Sequence, residues 1–292
     1  MYELNQVGEK SYYVNCPAKI GIYKISDKEA FLIDSGNDKD AGKKVLKILD
    51  GMGLTLKGII NTHSHADHVG GNKYLQQNTG CKVFAQGIEK AFTEKTILEP
   101  SFLYGGFPYG DLKHKFLLAQ ESVVKDFSDA DFPSELEIIQ LPGHSFDMIG
   151  IKTPDGAVFV ADSVSSQSTL EKYKISFIYD VAKYLETLDL LENMQAEIFV
   201  PSHAEPCDNM KFLCEINRKT VFEIAEKIKE LLKEETCFEV LLKKLFDLYV
   251  LDMTNEQYVL VGSTVRSYLS WLKDKGEITV NIKDNMLLWC SN

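Results

Sequence analysis

The run Gly58-Ile59-Ile60-Asn61-Thr62-His63-Ser64-His65-Ala66-Asp67-His68 decides how this chain folds, because a buried-strand signature leads straight into three histidines and an aspartate. In an extended segment, residues two apart face the same side, so His63 and His65 can grip one ion while Ser64 points away. Asp67 and His68 fall where a helix would begin, turned towards a different direction, which suits a second ion. Working outward, Pro142-Gly143-His144, Ala161-Asp162-Ser163 and Pro201-Ser202-His203 each follow a strand-like run, which predicts loops converging at one sheet edge. Five of the six histidines are thereby absorbed. Neutral imidazole with carboxylate favours zinc or a similar divalent ion, and two ions can share a bridging carboxylate. Capping or core packing explains a lone His-x-His as readily as a ligand pair does, but leaves His68, His144, Asp162 and His203 unexplained.

The flanking pattern is mixed α/β. Residues 12–14, 20–25 and 30–33 read as meandering strands ahead of the Asp34-Ser35-Gly36 turn, and residues 38–49 carry helical periodicity with Val45, Leu46 and Leu49 on one side. After the histidine run, residues 69–77 read as helix, 82–85 as strand and 88–96 as helix. Residues 136–141, 149–152 and 157–161 return to strand, with Pro154-Asp155-Gly156 as a hairpin turn. Such alternation suits two sheets covered by helices.

The full pattern, His-x-His-x-Asp-His at positions 63–68 with His144, Asp162 and His203 downstream, resembles the metallo-β-lactamase superfamily over roughly residues 20–206. The resemblance implies an αββα sandwich in which His63, His65 and His144 hold one metal, Asp67, His68 and His203 hold the other, and Asp162 bridges them. Flavin-linked di-iron members carry glutamate where this chain has His65, and they append a flavodoxin domain for which there is no room. Authentic β-lactamases lack the bridging aspartate that Asp162 supplies. The hydrolase branch, with its glyoxalase II-like thioesterases, lactonases and phosphodiesterases, keeps it.

At 292 residues with 45% hydrophobic content, the chain can bury a sizeable core. Three units are expected: a catalytic domain over 1–209, a connecting helix over 210–235 with Ile216, Phe222, Ile224 and Ile228 inward, and a C-terminal domain over 236–292. The N-terminus has neither a basic leader nor an apolar h-region, and no stretch suits a bilayer, so no membrane association and a cytoplasmic location are expected. Six cysteines without a Cys-x-x-Cys pair fit reduced thiols. Cys207, close to His203 in sequence, reads either as a redox-sensitive thiol beside the site or as ordinary packing.

Between residues 99 and 121 the periodicity breaks. Glycines and prolines there dictate a loop, and Phe102, Tyr104, Phe107 and Tyr109 either anchor it under the fold or wall an apolar ligand. His114, outside the cluster, is either a surface residue or a proton donor to a leaving group.

Beyond residue 236, helices over 238–249, from 255 and over 263–275, then a hairpin about Lys283-Asp284-Asn285, resemble a winged helix, a module that some hydrolase-branch members carry at this end. A winged helix invites a nucleic-acid partner, but the net charge of -11 and the balance of local cations by acids argue against one. Tyr268, Leu269, Trp271 and Leu272 at helical spacing read as core, so the module is expected to pack on the catalytic domain, shape the cleft or mediate homodimerisation. The functional expectation is a dinuclear hydrolase in which a metal-bridging hydroxide attacks a small ester, thioester or lactone. Zinc is the first choice of metal, with iron or manganese as alternatives. Asp67 and His144 are the catalytic candidates. A phosphodiesterase or ribonuclease is the runner-up, and a DNA-binding metalloregulator the third reading.

Overall fold

The computed structural model describes residues 2–292. Strands β1 (Glu3–Gln6), β2 (Ser11–Asn15), β3 (Ile20–Lys24) and β4 (Glu29–Ile33) meander antiparallel, and helix α1 (Lys39–Gly51) crosses over to β5 (Thr55–Ile60), parallel to β4. Two short helices, α2 (Ala66–Val69) and α3 (Asn72–Thr79), lead to β6 (Lys82–Phe84); α4 (Gly87–Glu94) and α5 (Leu98–Tyr104) precede β7 (Val124–Lys125). These seven strands form one sheet in sequence order. A second sheet of four strands holds β8 (Glu137–Gln140), β9 (Ile149–Lys152), β10 (Ala157–Ser165) and β11 (Ile198–His203) in reverse order, with α6 (Gln167–Tyr173) and α7 (Val181–Asn193) inserted before β11. The chain ends as α8 (Lys211–Leu231), β12 (Thr236–Cys237), α9 (Phe238–Tyr249), α10 (Asn255–Asp274), β13 (Ile278–Lys283) and β14 (Met286–Ser291), the last three strands forming a small sheet in the order β12-β14-β13.

Why these residues take these places follows from burial. Parallel neighbours require crossovers, and α1 supplies the first; Asp38 caps it by accepting from Asp40 N–H and Ala41 N–H. Phe31, Ile60 and Phe84 of the first sheet meet Ile149, Phe159 and Val200 of the second in the apolar layer between them. On the outer faces, Leu32 and Ile59 pack with Val45, Leu49 and Leu75 under α1 and α3. Val158 and Val160 pack with Leu188, Leu191, Val221 and Ile228 under α7 and α8. The strands are therefore covered on both sides, which is why they read as apolar runs rather than alternations. Each fully buried side chain of this size contributes about 1.5–3 kcal/mol. The result is the expected αββα sandwich.

The C-terminal segment shares the second sheet's outer core, since Leu241, Leu245, Val265, Tyr268 and Leu272 belong to the same buried cluster. Helix α8 is tied to the sandwich by Asn217, whose amide donates to Ser165 O at 2.8 Å and accepts from Ser165 N–H and Tyr184 Oη, both at 3.0 Å. The three helices expected after residue 236 are two. The second and third fuse into α10, because Gly262 costs only about 1 kcal/mol relative to alanine while Val259, Val261, Val265 and Leu269 hold one continuous buried face. The terminal hairpin turns as read, with Asp284 and Asn285 both at positive φ, 51° and 61°.

Other expectations are corrected. Residues 98–104 form α5 rather than loop; Pro100 lies in its first turn, where a missing N–H has no intrahelical partner to lose. The helix read over 69–77 is broken into α2 and α3, because the Gly71 N–H donates to Ser35 Oγ at 3.1 Å and the Gly36 carbonyl at 3.2 Å instead of to a carbonyl of the preceding turn. Phe222 is 44% exposed, not inward. It stands two residues from Ile224, about 200° around the helix from that buried position. Asp162 and His203 were expected in loops after strands, yet β10 continues past Asp162 to Ser165 and β11 includes His203.

Candidate metal centre

Strand β5 ends at Ile60, and the extended backbone that follows presents His63 and His65 on one side, as the alternation required. His63 Nε2 lies 3.1 Å from His65 Nδ1, and His144 Nε2 lies 3.0 Å from the same atom, so three ring nitrogens converge. His144 reaches them from the turn after β8, where Gly143 has φ 120° and its Cα faces the Tyr184 backbone nitrogen, 2.2 Å from where a Cβ would stand. Only glycine fits there.

Asp162 sits at the centre of the remaining groups. Its Oδ1 is 3.1 Å from His68 Nε2, and its Oδ2 is 3.1 Å from His203 Nε2 and 3.5 Å from His144 Nε2. The preceding residue, Ala161, has φ 50°, and the β10–β11 register shifts on both sides of it. That bulge re-aims the strand, which is how a residue inside β10 comes to serve a site at the sheet edge. Asp67, on the first turn of α2, places Oδ2 3.4 Å from His203 Nε2 and 3.8 Å from His68 Nε2. Three overlapping groups can each hold an ion: His63, His65 and His144; His63, His68 and Asp162; and Asp67, His68 and His203.

Three of the nitrogens turned away from this centre, those of His63, His68 and His144, meet acceptors within 3.1 Å, which assigns their tautomers. His68 Nδ1–H donates to Asp34 Oδ2 at 2.8 Å, and Asp34 also accepts from Thr62 N–H at 2.8 Å and Thr62 Oγ at 2.7 Å. His63 Nδ1 faces Thr62 Oγ at 3.0 Å, His144 Nδ1–H donates to the Phe177 carbonyl at 3.1 Å, and His65 Nε2 stands 3.6 Å from Glu99 Oε1.

Burial, with the neighbouring His68 charge, holds His63 well below the usual imidazole range. Burial likewise pushes His65 and His144 down to about 4. Those three rings are neutral at pH 7, with lone pairs free for a cation. The other group is oppositely poised. Burial again works against charge, but Asp162 and Asp67 push His203 up to about 10, and Asp162, Asp67 and Asp34 raise His68 well above its ordinary value. The carboxyls of Asp67 and Asp162 are held well below the usual range against burial, by the charges on His68 and His203. Glu99 is pushed up to about 8 by burial, with Glu89 and Asp67 adding to it. A divalent-ion pair fits this donor set: neutral nitrogens on one side, two carboxylates on the other. His68 Nε2 and Asp162 Oδ1 moreover face each other at 3.1 Å, buried and without a well-aligned hydrogen bond, an arrangement that native structures avoid unless another group satisfies both.

The seven metal candidates of the sequence are thus brought together, and from the segment read for substrate contacts it is Glu99, 3.6 Å from His65, that reaches them. Phe102 and Tyr104 line a cavity of about 920 Å³ between α5 and α10, together with Tyr179, Arg266 and Trp271; none of the seven lines it. Phe107 is 78% exposed, and Tyr109 Oη donates to Asn255 Oδ1 at 3.0 Å. His114 Nε2 is 2.9 Å from Glu256 Oε1, linking its loop to α10. Cys207 packs its sulfur 3.7 Å from Met210 Sδ, and burial raises its thiol pKa. All six cysteines are free. The aromatic ring beside the histidines is Phe177, 5.2 Å from His65 and 5.6 Å from His144 between centroids. Sequence reasoning missed Phe177, Asp34, Glu89 and Glu99. Asp34 alone carried a signal, as an acid closing a buried strand, and it was read only as a turn residue.

A family model described as the metallo-beta-lactamase superfamily matches residues 16–203. A hydroxyacylglutathione hydrolase of Erythrobacter litoralis is 32% identical over 149 residues, 48% of this chain and 49% of that protein. A linear primary-alkylsulfatase of a Pseudomonas species is 24% identical over 224 residues, 65% of this chain and 42% of that protein. The chain thus spans less than half the length of these curated relatives. Among solved structures, a beta-lactamase domain protein from Burkholderia ambifaria superposes with TM-score 0.74 at 16% identity, covering 99% of this chain and 94% of its own. A metallo-beta-lactamase family protein from Thermus thermophilus gives 0.68 at 15% identity, covering 99% and 98%. At such identities the likeness is one of fold.

Proposed function

The chain belongs to the metallo-β-lactamase superfamily, and from that premise we propose that it is a dinuclear metal-dependent hydrolase of small esters, thioesters or lactones. The observation that carries the reading is Asp162, one carboxylate within 3.1–3.5 Å of imidazoles from both histidine groups. His63, His65 and His144 would hold one ion; Asp67, His68 and His203 would hold the other; Asp162 would face both. Two divalent ions, zinc first and iron or manganese as alternatives, would supply the positive charge that acidifies a water and polarises an acyl oxygen.

The chain's own groups do the positioning. Asp67, with 40% of its side chain exposed, is the carboxylate on the open side, and besides holding an ion it would orient an attacking water by accepting a hydrogen bond. The Phe177 carbonyl holds the proton of His144 on Nδ1 and keeps Nε2 directed inward. Glu99, its carboxyl pushed up to about 8 by burial, stands 3.6 Å behind His65 Nε2. Phe177 supplies an apolar wall for an acyl group.

The hydroxyacylglutathione hydrolase likeness supports a thioester as first substrate class. The alkylsulfatase match, the longer of the two alignments, favours sulfate esters as a second. Against a nucleic-acid substrate or DNA-bound regulator, four of the six cations after residue 236 are engaged within the chain: Lys243 with Asp247 at 2.5 Å, Lys275 with Glu277 at 2.6 Å, Lys283 with Glu235 at 3.6 Å, and Arg266 over the Phe238 ring at 3.6 Å. Among the described residues no helix is long and apolar enough to cross a membrane. Acyl thioesters, lactones, alkyl sulfates and single-stranded RNA, each assayed with and without chelator, separate these readings. Chelator-sensitive turnover of a thioester or lactone is expected. Turnover of RNA alone, or a salt-sensitive DNA gel shift without hydrolysis, would replace the reading.

A further inference from the structure

Glu89 is a buried carboxylate in the first turn of α4, 1% exposed, and no expectation drawn from the sequence involves it. Its Oε2 accepts from Ser64 N–H at 2.9 Å and Ser64 Oγ at 2.6 Å. Its Oε1 accepts from Ser145 Oγ at 2.5 Å and Asp147 N–H at 3.1 Å. Ser64 lies between His63 and His65, and Ser145 follows His144. One side chain therefore joins the two backbone segments that carry the three-histidine group, segments about 80 residues apart in the chain that have no covalent reason to stay in register.

The joint is reciprocal. While Glu89 takes the Asp147 N–H, the Asp147 carboxylate accepts from Ile88 N–H at 2.8 Å, at the start of α4. Gly87, at φ 50°, has no room for a side chain there, since a Cβ would stand 2.1 Å from Asp147 Oδ2. Charge-assisted bonds of this kind are about twice as strong as neutral ones, and four on one carboxylate use nearly all its acceptor capacity. A hydroxyl or water could satisfy any single donor; only a carboxylate accepts from all four at once.

We propose that Glu89 is the positioning residue of the three-histidine half of the centre, setting the spacing of His63 and His65 against His144. The inference rests on the dinuclear reading above. It separates the two halves, because Asp67, His68, Asp162 and His203 make no contact with Glu89. In Glu89→Gln the amide keeps one acceptor oxygen and turns its N–H₂ towards a serine hydroxyl, which can rotate to accept, and a backbone N–H, which cannot, so at least one bond is lost and two donors are left facing each other.

The test is a competition titration of the metal-free protein with zinc against a chromophoric chelator, run with the visible spectrum of the cobalt-loaded protein and a thermal melt. Wild type should take up two equivalents. Glu89→Gln should bind one of them roughly 10- to 100-fold more weakly and leave the other unchanged, the range typical for loss of groups that orient metal ligands. The cobalt spectrum of the weakened half should change with it. Equal weakening of both equivalents with a lowered melt would mean a general structural role and overturn the proposal, as would unchanged affinity for both. Should Glu89→Gln fail to fold, Ser145→Ala removes one donor and should weaken the same equivalent several-fold; no change there also overturns it. A wild type that binds no metal would sink the dinuclear reading itself and this inference with it, whereas a normal wild type beside an unaltered variant sinks this inference alone.

Discussion

Replacing Asp34 by asparagine tests how a residue outside the donor set governs it. Asp34 is 2% exposed, is held at φ 64° at the end of β4, and accepts from Thr62 N–H, Thr62 Oγ and His68 Nδ1 at 2.7–2.8 Å. Asparagine preserves the shape but has one acceptor oxygen. With that oxygen on the Thr62 N–H, its amide N–H₂ faces the Thr62 hydroxyl and His68 Nδ1. The hydroxyl can rotate to accept; the imidazole must move its proton from Nδ1 to Nε2, the atom that lies 3.1 Å from Asp162. A proton there blocks the inward lone pair. Restoring the useful tautomer costs about the energy of a hydrogen bond to a charged group, roughly 1.5–3 kcal/mol, which corresponds to about 10- to 100-fold in affinity. The weakened equivalent should be the one assigned to Asp67, His68 and His203, with the three-histidine half unaffected, the mirror image of Glu89→Gln. Metal competition at pH 7 reads the affinity, and long-range nitrogen-15 correlation spectra read the His68 tautomer. Two tight equivalents in Asp34→Asn, or a proton still on Nδ1, would refute the reasoning.

Other outcomes follow from the same geometry. Asp67→Ala, loaded with metal, should lose most turnover of whichever substrate the panel identifies; near wild-type rates would remove Asp67 from its assigned role. Gly143→Ala combines a φ of 120° with a clash against the Tyr184 backbone, so it should destabilise the fold by about 2–5 kcal/mol, read from denaturant midpoints. For the metal-free protein, His144, held down at about 4, costs stability as pH falls from the ordinary imidazole value of about 6.5 through 4, because the unfolded chain takes up that proton first. His203, raised to about 10, contributes stability fully present below about 6.5 and lost as pH rises through 10. Denaturation series at pH 4.5, 6.5 and 9 should therefore peak in the middle, and His144→Gln should make the acid side shallower, with His63 and His65 keeping the rest of its slope, and leave the alkaline side unchanged. Metal loading at pH 8 should release protons from His68 and His203, measurable with an indicator dye in weak buffer.

The parts of this molecule legible in the sequence are those set by local periodicity or by unusual residue chemistry. The strand before Asn61, the His63/His65 alternation, the helix from residue 255 and the Asp284-Asn285 turn all follow from short-range rules, and the structure has each of them. What stayed hidden depends on contacts between distant segments. The α5 helix looked like loop because Pro100 lies inside it and two glycines follow it, and α10 looked like two helices because Gly262 interrupts its pattern. Asp34 and Glu89 are ordinary acids in the sequence; their meaning lies in which hydroxyls and amides surround them, a property of the packed fold. Phe177 was invisible for the same reason, since only the fold brings its carbonyl to His144 and its ring beside His65.

The candidate ligands are divided between the two sheets. His63, His65, Asp67 and His68 extend from the first, while His144, Asp162 and His203 belong to the second, and each sheet has its own outer core. Cations bound among them would rivet the sandwich at one edge, in addition to the apolar layer and the hydrogen bonds through Glu89, Lys19 and Thr62 that already join the sheets. Prying the layers apart at that edge and ejecting the ions would then be a single event, so the lifetime of the loaded centre and the rarest breathing motion of the protein should share one rate.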